Sequence, residues 1–400
     1  MASKPIRVTL FSSLFPHEGE PTLGVFVENR LRKLLEYENI EVTVIAPVPW
    51  FPFKSRFFGA YGRAARAAKF EKRHGVSIYH PRYLVIPKFG MRLTPRFMYR
   101  AALKCFRTLT AKGEDFHLID AHYLYPDGVV AAQLGAVLNR PVVMTARGSD
   151  VTQIGLLQGP RQDICAALGK VAHTITVSEN LRRDLISMGG RAAKITTLRN
   201  GVDLDIFREQ NRQAVRKRWG GDQILLFAGW LIPRKRVDLV LDVTSRIPGL
   251  HTVIVGDGPL RSSLEGQMRK LKIADRVSFI GQISPAQMPE IYSGADILLL
   301  PSDREGWANV LLEAMACGTP VVTRAIGGAP ELMTDKAAGI LVDSADAEAL
   351  ANAVRALLAD LPNRDDTRAF AERFDWRETS HGQKKIFEKA IADYGSPNSF

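Results

Sequence analysis

Four hundred residues, 46 % of them hydrophobic, exceed what one core serves and predict two domains of somewhat under 200 residues each. A formal charge of +12 points to anionic partners such as phosphates or lipid headgroups; nucleic acid carries the same charge, but no nucleic-acid-binding motif accompanies these cations. No apolar run approaches the roughly 20 residues needed to cross a bilayer, and Met1 to Lys4 leads into Ile6 to Phe11 without the apolar region of a secretion signal, so a cytoplasmic chain is expected.

Strand-like and helical segments alternate along the chain, a rhythm that predicts parallel sheets with helices on both faces. Arg7 to Phe11, Glu41 to Ala46, His117 to Ala121, Val142 to Thr145 and His173 to Val177 read as strands, with helices at Val27 to Glu36, Gly128 to Leu138 and Glu179 to Met188. The rhythm restarts with strands at Ile224 to Ala228, Thr252 to Val255, Val277 to Ile280, Asp296 to Leu300 and Val321 to Arg324. The Asn-Gly turn at Asn200-Gly201 and the polar stretch after it mark the boundary. The predicted organisation is therefore α/β, with residues 1–199 and 200–375 forming two doubly wound Rossmann-like domains that face each other across a cleft, and residues 376–400 holding a last helix at Trp376 to Tyr394. Ligands of such sheets sit beyond the carboxyl ends of the strands. Cys105, Cys165 and Cys317 are far apart, without His or Cys at ligand spacing, and read as buried thiols rather than a metal centre.

Between Lys54 and Lys112 stand fifteen Lys or Arg and one acid, Glu71, interleaved with Trp50, Phe51, Phe53, Phe57, Phe58, Tyr61, Phe70, Phe89, Met91, Phe97, Met98 and Tyr99. Cations mixed with aromatics suit an anionic membrane surface, which predicts a peripheral protein on the inner face of the cytoplasmic membrane. A solvated helical face with its aromatics turned into the core is the competing reading.

The segment Ser302 to Gly318, S-D-R-E-G-W-A-N-V-L-L-E-A-M-A-C-G, carries the chemistry. A buried strand ends at Pro301, a loop holds Glu305 and Gly306, and a helix is predicted from near Asn309 to Gly318. Unpaired amides and the positive dipole end make such a helix start an anion site. Glu305 before it and Glu313 one turn into it are placed to accept hydrogen bonds from sugar hydroxyls, or are merely solvated acids.

The Glu-x7-Glu pair, followed by G-G-A-P-E-L (Gly327 to Leu332), closely resembles the donor-site signature of the GT4 family of retaining glycosyltransferases, which have the GT-B fold. S-E-N-L (Ser178 to Leu181), N-G-V-D (Asn200 to Asp203), A-G-W-L-I-P-R-K (Ala228 to Lys235), G-D-G-P (Gly256 to Pro259) and V-S-F-I-G (Val277 to Gly281) extend the resemblance over nearly the whole chain. It implies that Glu305 contacts the transferred sugar, that Glu313 binds the ribose, and that the amides of Asn309, Val310 and Leu311 hold the distal phosphate and sugar. It places Lys235 on the diphosphate, Gly281 to Ile283 at the base, and Gly24 near the diphosphate and acceptor. Where the family often carries arginine this chain has Trp230, so Arg234 is the candidate to supply that charge.

Two loops of the first domain, D-A-H-Y-L-Y-P-D-G (Asp120 to Gly128) and T-A-R-G-S-D-V (Thr145 to Val151), follow strands and supply His122, Asp127, Arg147 and Asp150 as catalytic or acceptor-side candidates. Many relatives have histidine in place of Arg147; a guanidinium favours anion binding over proton shuttling. The resemblance implies a UDP- or GDP-type nucleotide sugar as donor, no metal, front-side attack with retention, and a lipid-linked or glycan acceptor in polysaccharide or glycolipid synthesis. It also implies that the last helix returns to pack on the first domain. A nucleotide-sugar epimerase and a non-catalytic membrane-associated scaffold are the alternatives.

Overall fold

The computed structural model describes residues 4–86, 90–220 and 222–395. Lys88 and Phe89 of the basic stretch lie outside the described residues, as does the Arg56 side chain. The chain divides into two compact units, one running to Leu198 and resuming at Trp376, the other spanning Arg199–Asp375.

The first unit contains β1 (Ile6–Phe11), β2 (Ile40–Ile45), β3 (Val48–Pro49), β4 (Phe70–Arg73), β5 (Val76–Tyr79), β6 (Arg82–Tyr83), β7 (Leu118–His122), β8 (Val142–Ala146), β9 (His173–Thr176) and β10 (Ile195–Thr197). Eight of them form one sheet in the order β10-β9-β8-β7-β1-β2-β5-β4, and β3 pairs with β6 apart from it. Every pair is parallel except β4 with β5, a hairpin turning at His74 and Gly75. The chain thus builds outward from β1 in one direction and returns to build from β7 in the other.

The core of this unit collects Val8, Leu118, Val143 and Ile175 from the strands, Leu34 from the helix Val25–Tyr37, and Phe387 and Ala390 from the helix Trp376–Tyr394. Phe387 is wholly buried, which stabilises the fold by roughly 1.5–3 kcal/mol and fixes the last helix to the first unit although 177 residues of the other unit intervene in sequence.

The second unit contains β11 (Gln223–Ala228), β12 (Leu250–Val255), β13 (Val277–Gly281), β14 (Ile297–Leu300), β15 (Val321–Arg324) and β16 (Gly339–Val342), all parallel, in the order β13-β12-β11-β14-β15-β16. Residues 224–227 and 297–299 are wholly buried, the continuous apolar runs required of strands covered by helices on both faces. This is the doubly wound order, with its reversal between β11 and β14.

The basic stretch divides in the structure. The helix Thr94–Ala111 buries Pro95, Met98, Ala102, Phe106 and Leu109 and exposes Arg96, Arg100, Lys104 and Arg107, which recur at helical spacing on one face. Met98, grouped by sequence with the surface aromatics, belongs to the core, and Phe97 and Tyr99 are half-buried. Trp50, Phe53, Phe57, Phe58, Phe70 and Met91 are exposed. Cys317 is buried as expected, whereas Cys105 and Cys165 are only half-buried.

Candidate active site

In the second unit the switch point is built from the two loops that leave β11 and β14. Apolar strands deliver both loops to the same sheet edge, and hydrogen bonds then lock them: the Asp303 amide donates to the Arg234 carbonyl at 2.8 Å, and the Arg234 guanidinium donates to the Arg304 carbonyl at 3.3 Å. Lys235 Nζ meets Glu305 Oε1 at 2.6 Å, and Arg234 approaches the other carboxylate oxygen at 3.7 Å. The Lys235 and Glu305 side chains are 12 % and 10 % exposed, so this is a sheltered ion pair with one face open, while Arg234 is 36 % exposed. Trp230, 54 % exposed, stands on the same loop.

The loop beyond Glu305 is pinned on both sides. Arg324 donates to the Ser302 carbonyl at 3.2 Å and to Asp303 at 2.6 Å. The buried Trp307 donates its indole N–H to the Asn200 carbonyl at 3.0 Å, and Asn200 donates to Asn309 Oδ1 at 3.2 Å. Gly306, between Glu305 and Trp307, is half-buried.

The helix then runs from Asn309 to Ala316. The Asn309 and Val310 amides have no backbone acceptor among the described residues and stand free at its positive end. The Leu311 amide, the third expected phosphate contact, differs from them: it donates to the Ala308 carbonyl at 3.1 Å, closing the first turn. Glu313 is half-buried with one oxygen accepting from the Tyr292 hydroxyl at 2.8 Å, which leaves the other for a ligand; burial pushes its carboxyl pKa up. At the far edge of the sheet, the Gly281 carbonyl accepts from the Gly256 amide at 2.9 Å and Ile283 is half-buried.

The first unit has its own switch point, between β1 and β7. Gly24 precedes the helix Val25–Tyr37 at φ 62, and a Cβ there would lie 2.1 Å from the Leu14 carbonyl oxygen; the glycine is needed for backbone against backbone. Asp127 is wholly buried and accepts from the Ser13 hydroxyl at 2.9 Å and the Ser13 amide; burial raises its pKa to about 7. Asp150, also buried, accepts from the amides of Leu124 at 2.9 Å, Gly148 at 2.8 Å and Arg147 at 3.1 Å. Both are acceptor-side candidates from the sequence; here Asp127 ties its loop to Ser13 in the loop after β1, and Asp150 ties its own loop to Leu124.

His122, a catalytic candidate from the sequence, has both ring nitrogens engaged by neighbouring side chains. Arg147 donates to its Nδ1, and because a guanidinium can only donate, the ring proton sits on Nε2 and faces Asp120 Oδ2 at 3.0 Å. Burial, then the charge of Arg147 against the help of Asp120, lowers its pKa to about 4, leaving a neutral imidazole with both nitrogens committed. Arg147 itself is half-buried with its guanidinium over the Phe26 ring at 5.4 Å; burial and then Arg30 lower its pKa to about 9, so it remains a cation at neutral pH. The chain of bonds continues: Gln383 of the last helix donates to Asp120 at 2.9 Å and accepts from Arg30 at 2.7 Å. Nothing in the sequence marks Arg30, Asp120 and Gln383 as a group, because they come together only when the last helix docks.

Two family descriptions match the chain: "Glycosyl transferases group 1" over residues 208–374 and "Glycosyltransferase Family 4" over residues 23–206. The chain belongs to this family of group 1, GT4 glycosyltransferases and has the GT-B fold. Among its relatives, the "D-inositol 3-phosphate glycosyltransferase" of Mycobacteroides abscessus is 36 % identical over 217 residues, which is 51 % of this chain and 48 % of that protein. The "Putative teichuronic acid biosynthesis glycosyltransferase TuaC" of Bacillus subtilis is 27 % identical over 357 residues, 87 % of this chain and 88 % of its own length. The chain thus spans about half the length of the D-inositol 3-phosphate glycosyltransferases it matches. Among solved structures, sucrose-phosphate synthase from Thermosynechococcus elongatus superposes with a TM-score of 0.78 at 20 % identity over 97 % of this chain and 99 % of that one. HepE from Anabaena in complex with UDP and glucose gives 0.73 at 20 % over 96 % and 99 %.

Proposed function

We propose that this chain transfers a glycosyl group from a nucleoside-diphosphate sugar to a lipid-linked acceptor with retention of configuration, in polysaccharide or glycolipid assembly. The observation that carries the reading is the Lys235–Glu305 pair, set at a doubly wound switch point beside the free amides of Asn309 and Val310. A diphosphate entering there meets an ammonium, the Arg234 guanidinium and a helix dipole, all placed before the charge develops. HepE, of the same fold, binds UDP and UDP-glucose, and the name of TuaC refers to teichuronic acid biosynthesis.

In the proposed reaction the bond between the anomeric carbon and the diphosphate oxygen breaks, and its electron pair stays with the phosphate, where Lys235 and Arg234 offset the charge. The acceptor hydroxyl oxygen bonds to that carbon from the same face and passes its proton to the departing phosphate. His122 commits both nitrogens inside its own unit, so no protein base is assigned. Glu305 accepts from hydroxyls of the transferred sugar, and the free oxygen of Glu313 accepts from the ribose. The cations and amides take the part that a divalent ion plays in other transferases, so no metal is proposed.

No helix of the described residues is long and apolar enough to cross a membrane. The basic face of the helix Thr94–Ala111 and the exposed rings near Phe57 support docking on an anionic leaflet at the cytoplasmic side. Flotation with phosphatidylglycerol and phosphatidylcholine vesicles tests this; equal binding to both at low salt would remove it. For the chemistry, thermal melts with UDP-, GDP- and ADP-sugars should single out one donor, and Glu305→Gln should then lower turnover far more than donor affinity. Absence of stabilisation by any of these donors would overturn the reading.

A further inference from the structure

Within the first unit, Leu14, Tyr61, Ile86, Met91, Tyr123 and Pro126 line a groove of about 480 Å³. The groove reaches Ser13, two residues beyond β1, so it opens at the carboxyl edge of the sheet where ligands of such folds sit. Ile86 and Met91 expose 42 % and 49 % of their surface; the wall surface is mostly apolar, and the bordering hydroxyls of Ser13, Thr94, Tyr123 and Tyr125 are hydrogen-bonded within the protein.

The apolar surface continues outside the groove. Tyr61 lies 5.5 Å from Phe51, which lies 5.2 Å from Phe58 and 6.0 Å from Phe53. Phe57, against Phe58 at 5.7 Å, is 91 % exposed. Tyr61 therefore belongs both to the groove and to a cluster of rings facing water, and an apolar surface of this extent marks an interaction site.

Its charge selects the occupant. Arg92, between the groove residues Met91 and Thr94, is exposed and makes no ion pair among the described residues. The exposed cations of the helix Thr94–Ala111 follow directly, and that helix carries no acid. A bare sugar would find few hydrogen-bond partners here, whereas a hydrocarbon chain ending in phosphate matches both the walls and the rim.

We propose that this groove holds the hydrocarbon chain of a lipid-phosphate acceptor, which passes Tyr61 toward the exposed rings while its phosphate meets Arg92. The proposal rests on the transferase reading and adds to it a site for the acceptor's lipid and the residues that select it.

Butyl, octyl and dodecyl phosphate, titrated into the full chain below their micelle concentrations, test it by calorimetry. Burying a chain predicts an affinity gain of up to about fourfold per methylene between four and eight carbons. Ile86→Asn and Met91→Asn, on exposed walls, should abolish that gain while leaving butyl phosphate binding and the melting temperature unchanged. Arg92→Gln should weaken all three alkyl phosphates by a similar factor. Affinity independent of chain length, or a full chain-length gain retained in both wall variants, overturns the proposal. Stabilisation by donor nucleotides, measured in parallel, separates the two claims: donors bound without a chain-length effect would sink only the groove, and a chain-length effect without donor binding would sink the transferase reading.

Discussion

Replacing Lys235 with methionine would leave the Glu305 carboxylate, 10 % exposed, without the ammonium that stands 2.6 Å from it. Removing one member of a buried pair costs about 3–5 kcal/mol because the other stays desolvated. Arg234 at 3.7 Å recovers part of this, but it is partly solvent-exposed and such a pair contributes at most about 1 kcal/mol. The expected loss is therefore about 2–4 kcal/mol in a unit of about 180 residues, where each kcal/mol lowers the melting midpoint by roughly 2–4 °C. Glu305→Gln should cost less, since the freed lysine can swing its amine to water. The double variant should then lose about 1–2 kcal/mol less than the sum of the singles. Calorimetric melts of the four proteins without nucleotide provide the cycle. Losses that add to within about 0.5 kcal/mol would mean the two groups are uncoupled, and the resting pair would cease to be an account of how Lys235 is positioned.

Burial holds the Asp127 carboxyl at a pKa of about 7 against an ordinary 3.8, so the folded protein binds that proton more tightly than the unfolded chain. Its stabilising contribution is full below about pH 4 and is lost as pH rises through 7; relative to Asp127→Asn, the parent should lose up to about 4 kcal/mol between pH 4 and 8, and a pH-independent difference in urea midpoints would contradict this. Gly327 has φ 53, and a Cβ there would sit 1.8 Å from the Glu305 carbonyl oxygen. Gly327→Ala should therefore displace Glu305 and lower kcat by roughly tenfold or more without removing any group that touches substrate; turnover equal to the parent would show that the loop position is not critical. Saturating EDTA should leave turnover of the dialysed enzyme unchanged, and restoration by magnesium of activity lost to EDTA would refute the proposed role of the cations.

The central strands were legible because burial on both faces demands unbroken apolar runs such as residues 224–227 and 297–299. The strands missed are those with weaker demands. Phe70–Arg73 and Val76–Tyr79 form a hairpin whose charged positions resemble an interface segment, and Ile195–Thr197 and Gly339–Val342 are short strands at sheet edges. In the site, residue type and spacing singled out Glu305 and the helix start at Asn309, and the family resemblance added Lys235. They did not disclose that Lys235 and Glu305, 70 positions apart, form an ion pair, since pairing across two loops is fixed by sheet order. Asp127, Asp150 and His122 drew attention as polar residues after strands, yet a sequence does not say whether a carboxylate faces a ligand or the backbone amides of neighbouring loops. That distinction depends on which amides converge on it, and here Ser13, Leu124 and Gly148 do.

In the proposed reaction Lys235 and Arg234 grip the second phosphate of the donor. Titrating UDP and UMP into the parent chain and into Lys235→Ala tests this most directly. The parent should prefer the diphosphate by roughly tenfold or more, about 1.4 kcal/mol, and the variant should lose most of that preference while binding UMP as before. A diphosphate preference that survives intact in Lys235→Ala would place the phosphate elsewhere and contradict the assignment of this site.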